Sequence, residues 1–331
     1  MKPISLVCIA LLCAATGMSP QLHAYDVTDR FSLGGVLSAT GQCQSLSDDA
    51  GADDECQGTM PLQLEMSLRP TDSDEFFAKF GFATGNGLNS SDDRFRSPFV
   101  LSTWAADLED DVEDINGRSR DYLLTGWYRH TFRMHGERLL GLSFGIIDST
   151  DYLDENAYAN DEFTQFMNEV FVNSKQSFLP SYDAGGAVEW HSGHWSIRGV
   201  VMNIGKNDDD NEYNFLGATV GYATDNSLGE GNYRLTVTTT NDEFSDKNGS
   251  GEERLLATVL SFDQQLGEHL GAFTRLGWQD DDAAVTYETL VSGGLDVKGG
   301  LWGRSGDNIG VGFAWLDWGN LDVYETYVFE T

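Results

Sequence analysis

From residue 31 to residue 329 the chain alternates between apolar and polar residues with a period of two, stretch after stretch. In 61–70, Leu62, Leu64, Met66 and Leu68 alternate with Gln63, Glu65, Ser67 and Arg69. Successive side chains of a strand point to opposite faces, so this pattern predicts a strand with one apolar and one polar side. Thr71 to Asp74 separate it from a second alternating run at 75–83, which makes a hairpin. The same reading pairs 121–133 with 138–147, with Tyr122, Leu124, Tyr128 and Phe132 on one face and Thr125, Trp127, Arg129, Thr131 and Arg133 on the other. Further runs lie at 184–191, 194–204, 214–223, 231–240, 254–263, 268–278, 291–301, 308–316 and 321–329, with one at 31–40 ahead of them, about fourteen strands in all.

The connections alternate in size. Those at 71–74, 134–137, 192–193 and 264–267 are tight, whereas 84–120, 148–183, 205–213, 241–253 and 279–290 are long and rich in Asp, Asn and Gly. Short turns at one end and long loops at the other predict an all-β fold, an antiparallel transmembrane β-barrel. Tyr122, Trp190, Trp195, Tyr222, Tyr233, Trp278, Trp315 and Trp318 recur near strand ends, where amphipathic rings meet the membrane–water boundary. The alternative is a soluble β-sandwich or solenoid whose core uses the same alternation. A wet lumen suits an inward face carrying Arg129, Arg133, Arg198, Arg234 and Arg275 better, because unpaired charge is costly in a dry core.

The first segment has another character. Lys2, the apolar run Ile4–Ala15 and the small-residue end at Ala24 read as a secretory signal peptide over 1–24, leaving 25–331 as the barrel. A lipoprotein reading through Cys13 is opposed by Leu12, where a small residue is expected. Cys8 and Cys13 leave with the signal, so Cys43 and Cys56 are the remaining pair and most simply form a disulfide; a metal site there would lack a nearby His. With 20 Lys+Arg against 53 Asp+Glu, a net charge of -33 excludes nucleic acid as a partner. The 12% aromatic content argues against disorder.

Several stretches resemble the carbohydrate-selective porins, the OprB-type outer-membrane channels of Gram-negative bacteria. They are Phe31-Ser-Leu-Gly-Gly35, Phe80-Gly-Phe-Ala-Thr-Gly-Asn-Gly87, Arg120-Asp-Tyr122, the long block 145–166, Gly229-Glu-Gly-Asn-Tyr-Arg234, Ser261-Phe-Asp-Gln-Gln265 and Leu301-Trp-Gly-Arg304. The resemblance implies a sixteen-stranded barrel that passes sugars by diffusion, often as a homotrimer. Against that pattern the chain is expected to lack the last two strands; a true fourteen-stranded barrel is the alternative.

A porin needs no catalytic residue and no cofactor; its width and lining set selectivity. The segment 148–183 is the candidate constriction. Asp151, Asp154, Glu155, Asp161 and Glu162 interleave there with Tyr152, Asn156, Tyr158, Asn160 and Gln165, a mixture of hydroxyl partners and flat apolar faces that suits sugars. Arg96, Arg118, Arg120 and Arg129 are candidates for opposing charge, and 160–169 for a short helix capped by Asn160. Asp107–Asp114, Asn207–Glu212 and Asp280–Asp282 read as solvated loops bridged to lipopolysaccharide by divalent ions, or as Ca²⁺ or Mg²⁺ sites without EF-hand spacing. The functional alternatives are a sugar-binding barrel or adhesin with a closed lumen, or a non-functional truncated porin. No Ser–His–acid set or close carboxylate pair supports an enzyme.

Overall fold

The computed structural model describes residues 25–44, 55–89, 104–136, 138–206, 212–319 and 325–331; the signal segment 1–24 and Arg96 lie outside the described residues. The chain runs through β1 (Tyr25–Thr28), β2 (Phe31–Leu37), β3 (Thr40–Gln44), β4 (Glu55–Leu68), β5 (Asp74–Thr84), β6 (Leu123–Met134), β7 (Arg138–Ile147), β8 (Asp183–Ser192), β9 (Trp195–Ile204), β10 (Tyr213–Asn226) and β11 (Gly229–Thr240). It continues through the small β12 (Phe244–Ser245) and β13 (Glu252–Glu253) to β14 (Leu256–Leu266), β15 (Leu270–Gln279), β16 (Thr289–Lys298), β17 (Asn308–Asp317) and β18 (Glu325–Glu330). Two one-turn helices, α1 (Glu109–Val112) and α2 (Glu169–Val172), lie in the long connections.

All but β12 and β13 join one sixteen-stranded sheet, in which each long strand pairs antiparallel with its sequence neighbour. β2 and β3 lie end to end along the same edge of β4, so they occupy one position. The expected strands are therefore all present, and the four-residue β1 is an addition at the first edge. Both cysteines lie in strands, Cys43 in β3 and Cys56 in β4. Cys43 faces Cys56 across the β3/β4 ladder, and the two form a disulfide.

The two sheet faces are inverted relative to a water-soluble protein. Phe144, Val201, Leu216 and Val311 are 56%, 55%, 52% and 50% exposed on the outer face. Thr219, Thr236, Ser261, Asp263 and Arg275 are buried on the inner one. The ladder keeps the faces apart: Val220 opposes Leu235 outside, while Thr219 opposes Thr236 inside and their hydroxyls bond at 2.7 Å. Leaving such apolar side chains in water forgoes about 1.5–3 kcal/mol each, so the outer face belongs against hydrocarbon. Among the described residues no helix is long and apolar enough to cross a membrane; the strands are the crossing elements.

One expected face assignment fails. A bulge opposes Lys79 to Thr125 and Phe80 to Leu123, so Leu124 does not share the outer face with Tyr128. It turns inward, fully buried, against Val112 and Ile115. A bulge shifts the two-residue alternation by one, and the sequence pattern carries no mark of it.

Candidate functional site

The 148–182 connection leaves β7 and folds into the interior instead of over the rim. Its first part packs Tyr152 and Leu153 against Val200, Met202 and Phe215 on the inner faces of β9 and β10. Gly217 makes this possible, since a Cβ there would stand 2.3 Å from Leu153. Its second part carries Phe166, Val170 and Phe171 to the opposite wall, against Phe273, Leu290 and Leu316 of β15 to β17.

Polar anchors fix the crossing. The fully buried Arg275 of β15 donates from Nε to Asp154 Oδ1 at 3.0 Å, from Nη1 to Phe171 O at 2.6 Å, and from Nη2 to Asp154 O at 3.0 Å. Asp154 Oδ2 accepts from the Ser174 backbone N–H at 2.5 Å. Asn156 donates to Ser261 Oγ at 3.2 Å, and the Ala157 N–H to Asp263 at 3.2 Å. At the last strand, the two oxygens of Glu330 accept the successive N–H groups of Met167 and Asn168 at 2.6 and 2.9 Å.

The expected helix over 160–169 is displaced. Asp161 Oδ1 accepts from the N–H groups of Phe163 and Thr164, and Gln165 Oε1 takes the N–H of Asn160. These side-chain bonds compete with helical ones and leave a single turn. The helix forms later, as α2, with Asn168 as its cap through a 3.1 Å bond to the Val170 N–H.

A second inward loop, between β5 and β6, meets this segment. Trp104 packs edge-on to Phe163 with centroids 5.6 Å apart, and Ala105 N–H donates to Met167 O at 2.9 Å. Asp107, read from sequence as a solvated loop acid, accepts from Gln63 Nε2 at 2.7 Å and from the Tyr182 hydroxyl at 2.8 Å inside the barrel.

Residues 157–165 contribute to the lining of two polar cavities. The larger, about 1360 Å³, opens toward the long-loop end; Asn160, Asp161 and Glu162 border it with Glu65, Lys79, Asp107, Asp148, Asp151, Glu155 and Lys206. The smaller, about 300 Å³, lies toward the tight-turn end, bordered by Ala157, Tyr158 and Gln165 with strand residues of β11, β14, β16 and β17. The larger cavity is strongly acidic, and three of its carboxyls, Asp107, Asp151 and Glu162, resist ionisation. Desolvation inside the barrel, then Asp148, pushes Asp151 up to about 7. Desolvation pushes Glu162 up to about 8, with Asp161 adding to it. Desolvation also raises Asp107.

The predicted site residues thus fall into three groups. Asp151, Glu155, Asn160, Asp161 and Glu162 border the larger cavity; Tyr158 and Gln165 border the smaller one. Tyr152, Asp154 and Asn156 are buried, and in the described structure they anchor the segment to the wall. Among the described residues, the candidate arginines Arg118, Arg120 and Arg129 do not stand as free charge across the lumen. Arg129 pairs with Glu189 at 2.8 Å, Arg198 with Glu155, and Arg234 with Asp263 at 2.6 Å. Arg118 pairs with Asp183 at 3.2 Å, while Arg120 donates to the carbonyls of Leu123, Leu124 and Tyr182. Each guanidinium meets a carboxylate or carbonyl because the inner wall of a neighbouring strand or loop supplies one. Sequence reading missed Glu65, Lys79 and Asp107; the signal for the first two was present, as polar positions of alternating strands. Asp280, Asp281 and Asp282 hold carboxylates within 4.8 Å of one another at the long-loop end, with Asp281 bonded to Lys247.

No model of a known protein family matches the chain. An uncharacterized protein of Aquifex aeolicus (strain VF5) is 28% identical over 257 residues, 76% of this chain and 72% of that one. Among solved structures, Pseudomonas putida OprB at high pH superposes with a TM-score of 0.62 at 15% identity, over 88% of this chain and 75% of that one. The anion-selective porin from Comamonas acidovorans gives a TM-score of 0.43 at 10% identity, over 86% and 88% of the two chains. Apolar exterior, polar interior, tight turns opposite long loops and the OprB superposition converge on one statement: the chain has the antiparallel transmembrane β-barrel fold of a porin.

Proposed function

We propose that the protein is an outer-membrane channel of a Gram-negative bacterium through which small neutral sugars diffuse, with 157–165 as the constriction. The observation that carries this reading is the inward-folded segment with polar, solvent-sized cavities on both sides of it. A binding barrel with a closed lumen has no need of a second cavity beyond the partition. The acidic cavity disfavours anions, since carboxylates there outnumber Lys79 and Lys206. Uncharged solutes with many hydroxyls pay no such penalty and find acceptors in both cavities. The sugar assignment follows the sequence resemblance to the carbohydrate-selective porins, and the tight turns mark the periplasmic end by the general rule for such barrels.

Liposome swelling tests the proposal. Proteoliposomes should swell in glucose and arabinose, faster than in gluconate, with no change in the sugar recovered. Purified, folded barrel that admits neither neutral sugar would overturn the reading.

A further inference from the structure

The smaller cavity has features that a passive conduit does not require. Tyr158 lies with its ring on the backbone of β15: a Cβ on Gly271 would stand 2.1 Å from Tyr158 Cε1, so glycine is what lets the ring lie there. Around this ring stand Glu230, Asn232, Asp296, Lys298 and Asn308. Some are already committed to the wall, Asn308 bonding Asp296 at 2.8 Å and Asn232 bonding Asp263 at 2.6 Å, and these bonds hold the rim in place. The Tyr158 hydroxyl, the Glu230 carboxylate and the Lys298 ammonium make no hydrogen bond or ion pair to any described residue. Donor and acceptor capacity is thus unspent beside an aromatic ring in a cavity of about 300 Å³, a volume at the low end for small-molecule sites.

We infer that this cavity is a binding subsite for one neutral hexose on the tight-turn side of the constriction. The sugar's CH face rests on Tyr158, and its hydroxyls accept from Lys298 and donate to Glu230. An anion would meet Glu230 and Asp296. The inference rests on the sugar-channel reading and adds a stopping place to it, so that the sugar is held on leaving the constriction and not merely passed.

Saturation-transfer NMR of methyl glucoside with the full-length protein in detergent tests it without requiring conduction. Saturation should reach the sugar's ring CH protons with the wild type. Tyr158→Phe should retain the signal, and Tyr158→Ala should weaken the apparent affinity by about five- to tenfold. Gly271→Ala, which displaces the ring without removing it, should act in the same direction, and Lys298→Gln should weaken binding by about threefold. Equal transfer in wild type and Tyr158→Ala, or none in either while the liposomes swell in glucose, overturns the subsite and leaves the channel standing. Transfer that depends on Tyr158 in a barrel that passes no sugar supports the subsite and sinks the channel.

Discussion

The bond network around Arg275 gives the sharpest test of how the constriction is held. Arg275 and Asp154 are both fully buried, and the guanidinium reaches Asp154, Phe171 and Val172 from a single strand. Replacing Asp154 by Ala leaves that charge without its counter-ion and frees the Ser174 N–H. Breaking a buried pair from one side costs about 3–5 kcal/mol. If that cost falls on the attachment of the segment, its released fraction rises by roughly two to four orders of magnitude. The strands and the Glu330 anchor are untouched, so the barrel should still form. Asp154→Ala in planar bilayers should therefore flicker between a narrow and a wider conductance level, where the wild type holds one. The double variant Asp154→Leu with Arg275→Met removes both charges and should restore most of the steadiness, since an apolar pair of similar volume often replaces a buried ion pair at little cost. Wild-type conductance together with a wild-type denaturation midpoint in detergent for Asp154→Ala would refute this anchor.

Three further outcomes follow from the geometry. Asp151 and Glu162 are raised to about 7 and about 8, so both are neutral at lower pH and become charged as pH rises. They face Glu65, Lys79, Asp107, Asp148, Glu155 and Asp161. The ratio of K⁺ to Cl⁻ permeability should therefore climb between about pH 6 and about pH 9 and flatten in Asp151→Asn with Glu162→Gln; a flat wild-type profile refutes it. Glu330→Gln keeps the shape but loses the charge that two N–H groups share, so limited proteolysis at 160–170 should accelerate by several-fold with the strands still protected; unchanged cleavage would count against this anchor. Val220→Arg puts a charge on the outer face near mid-strand and should cost about 2–4 kcal/mol in lipid-bilayer refolding titrations, whereas Thr219→Ser, one residue away on the inner face, should cost less than about 1 kcal/mol; equal effects would undo the assignment of faces.

The strands were legible because alternation is a local property. The pairs Leu62/Gln63 and Val220/Thr219 declare two faces without reference to any partner. Which face meets lipid was legible only through the arginines among the polar positions, and the structure assigns it by exposure. The path of 148–182 was legible as a composition and not as a route. Asp154 meets Arg275 across 121 residues, and nothing near Asp154 distinguishes it from Asp151. The displaced helix and the inward turn of Leu124 failed for a related reason. Each depends on a competitor, the Asp161 side chain in one case and the register of β5 in the other, that local periodicity does not weigh.

The same distinction explains what the acidity is for. Acids that meet an arginine on the facing wall become structural: Asp154 on Arg275, Glu189 on Arg129, Asp263 on Arg234. Glu155 sits between the classes, paired with Arg198 yet bordering the larger cavity. Asp151 and Glu162 make no ion pair among the described residues and face mostly other carboxylates, with Lys79 as the cation among their neighbours, so their charge is directed largely at whatever occupies the cavity. With 53 acids against 20 bases, most carboxylates must fall outside the paired class, and a neutralising substitution should reveal to which class each belongs. Loss of a paired acid should lower stability and disturb the conductance level. Loss of an unpaired one should leave stability unchanged or raise it, by relieving repulsion, and shift ion selectivity alone.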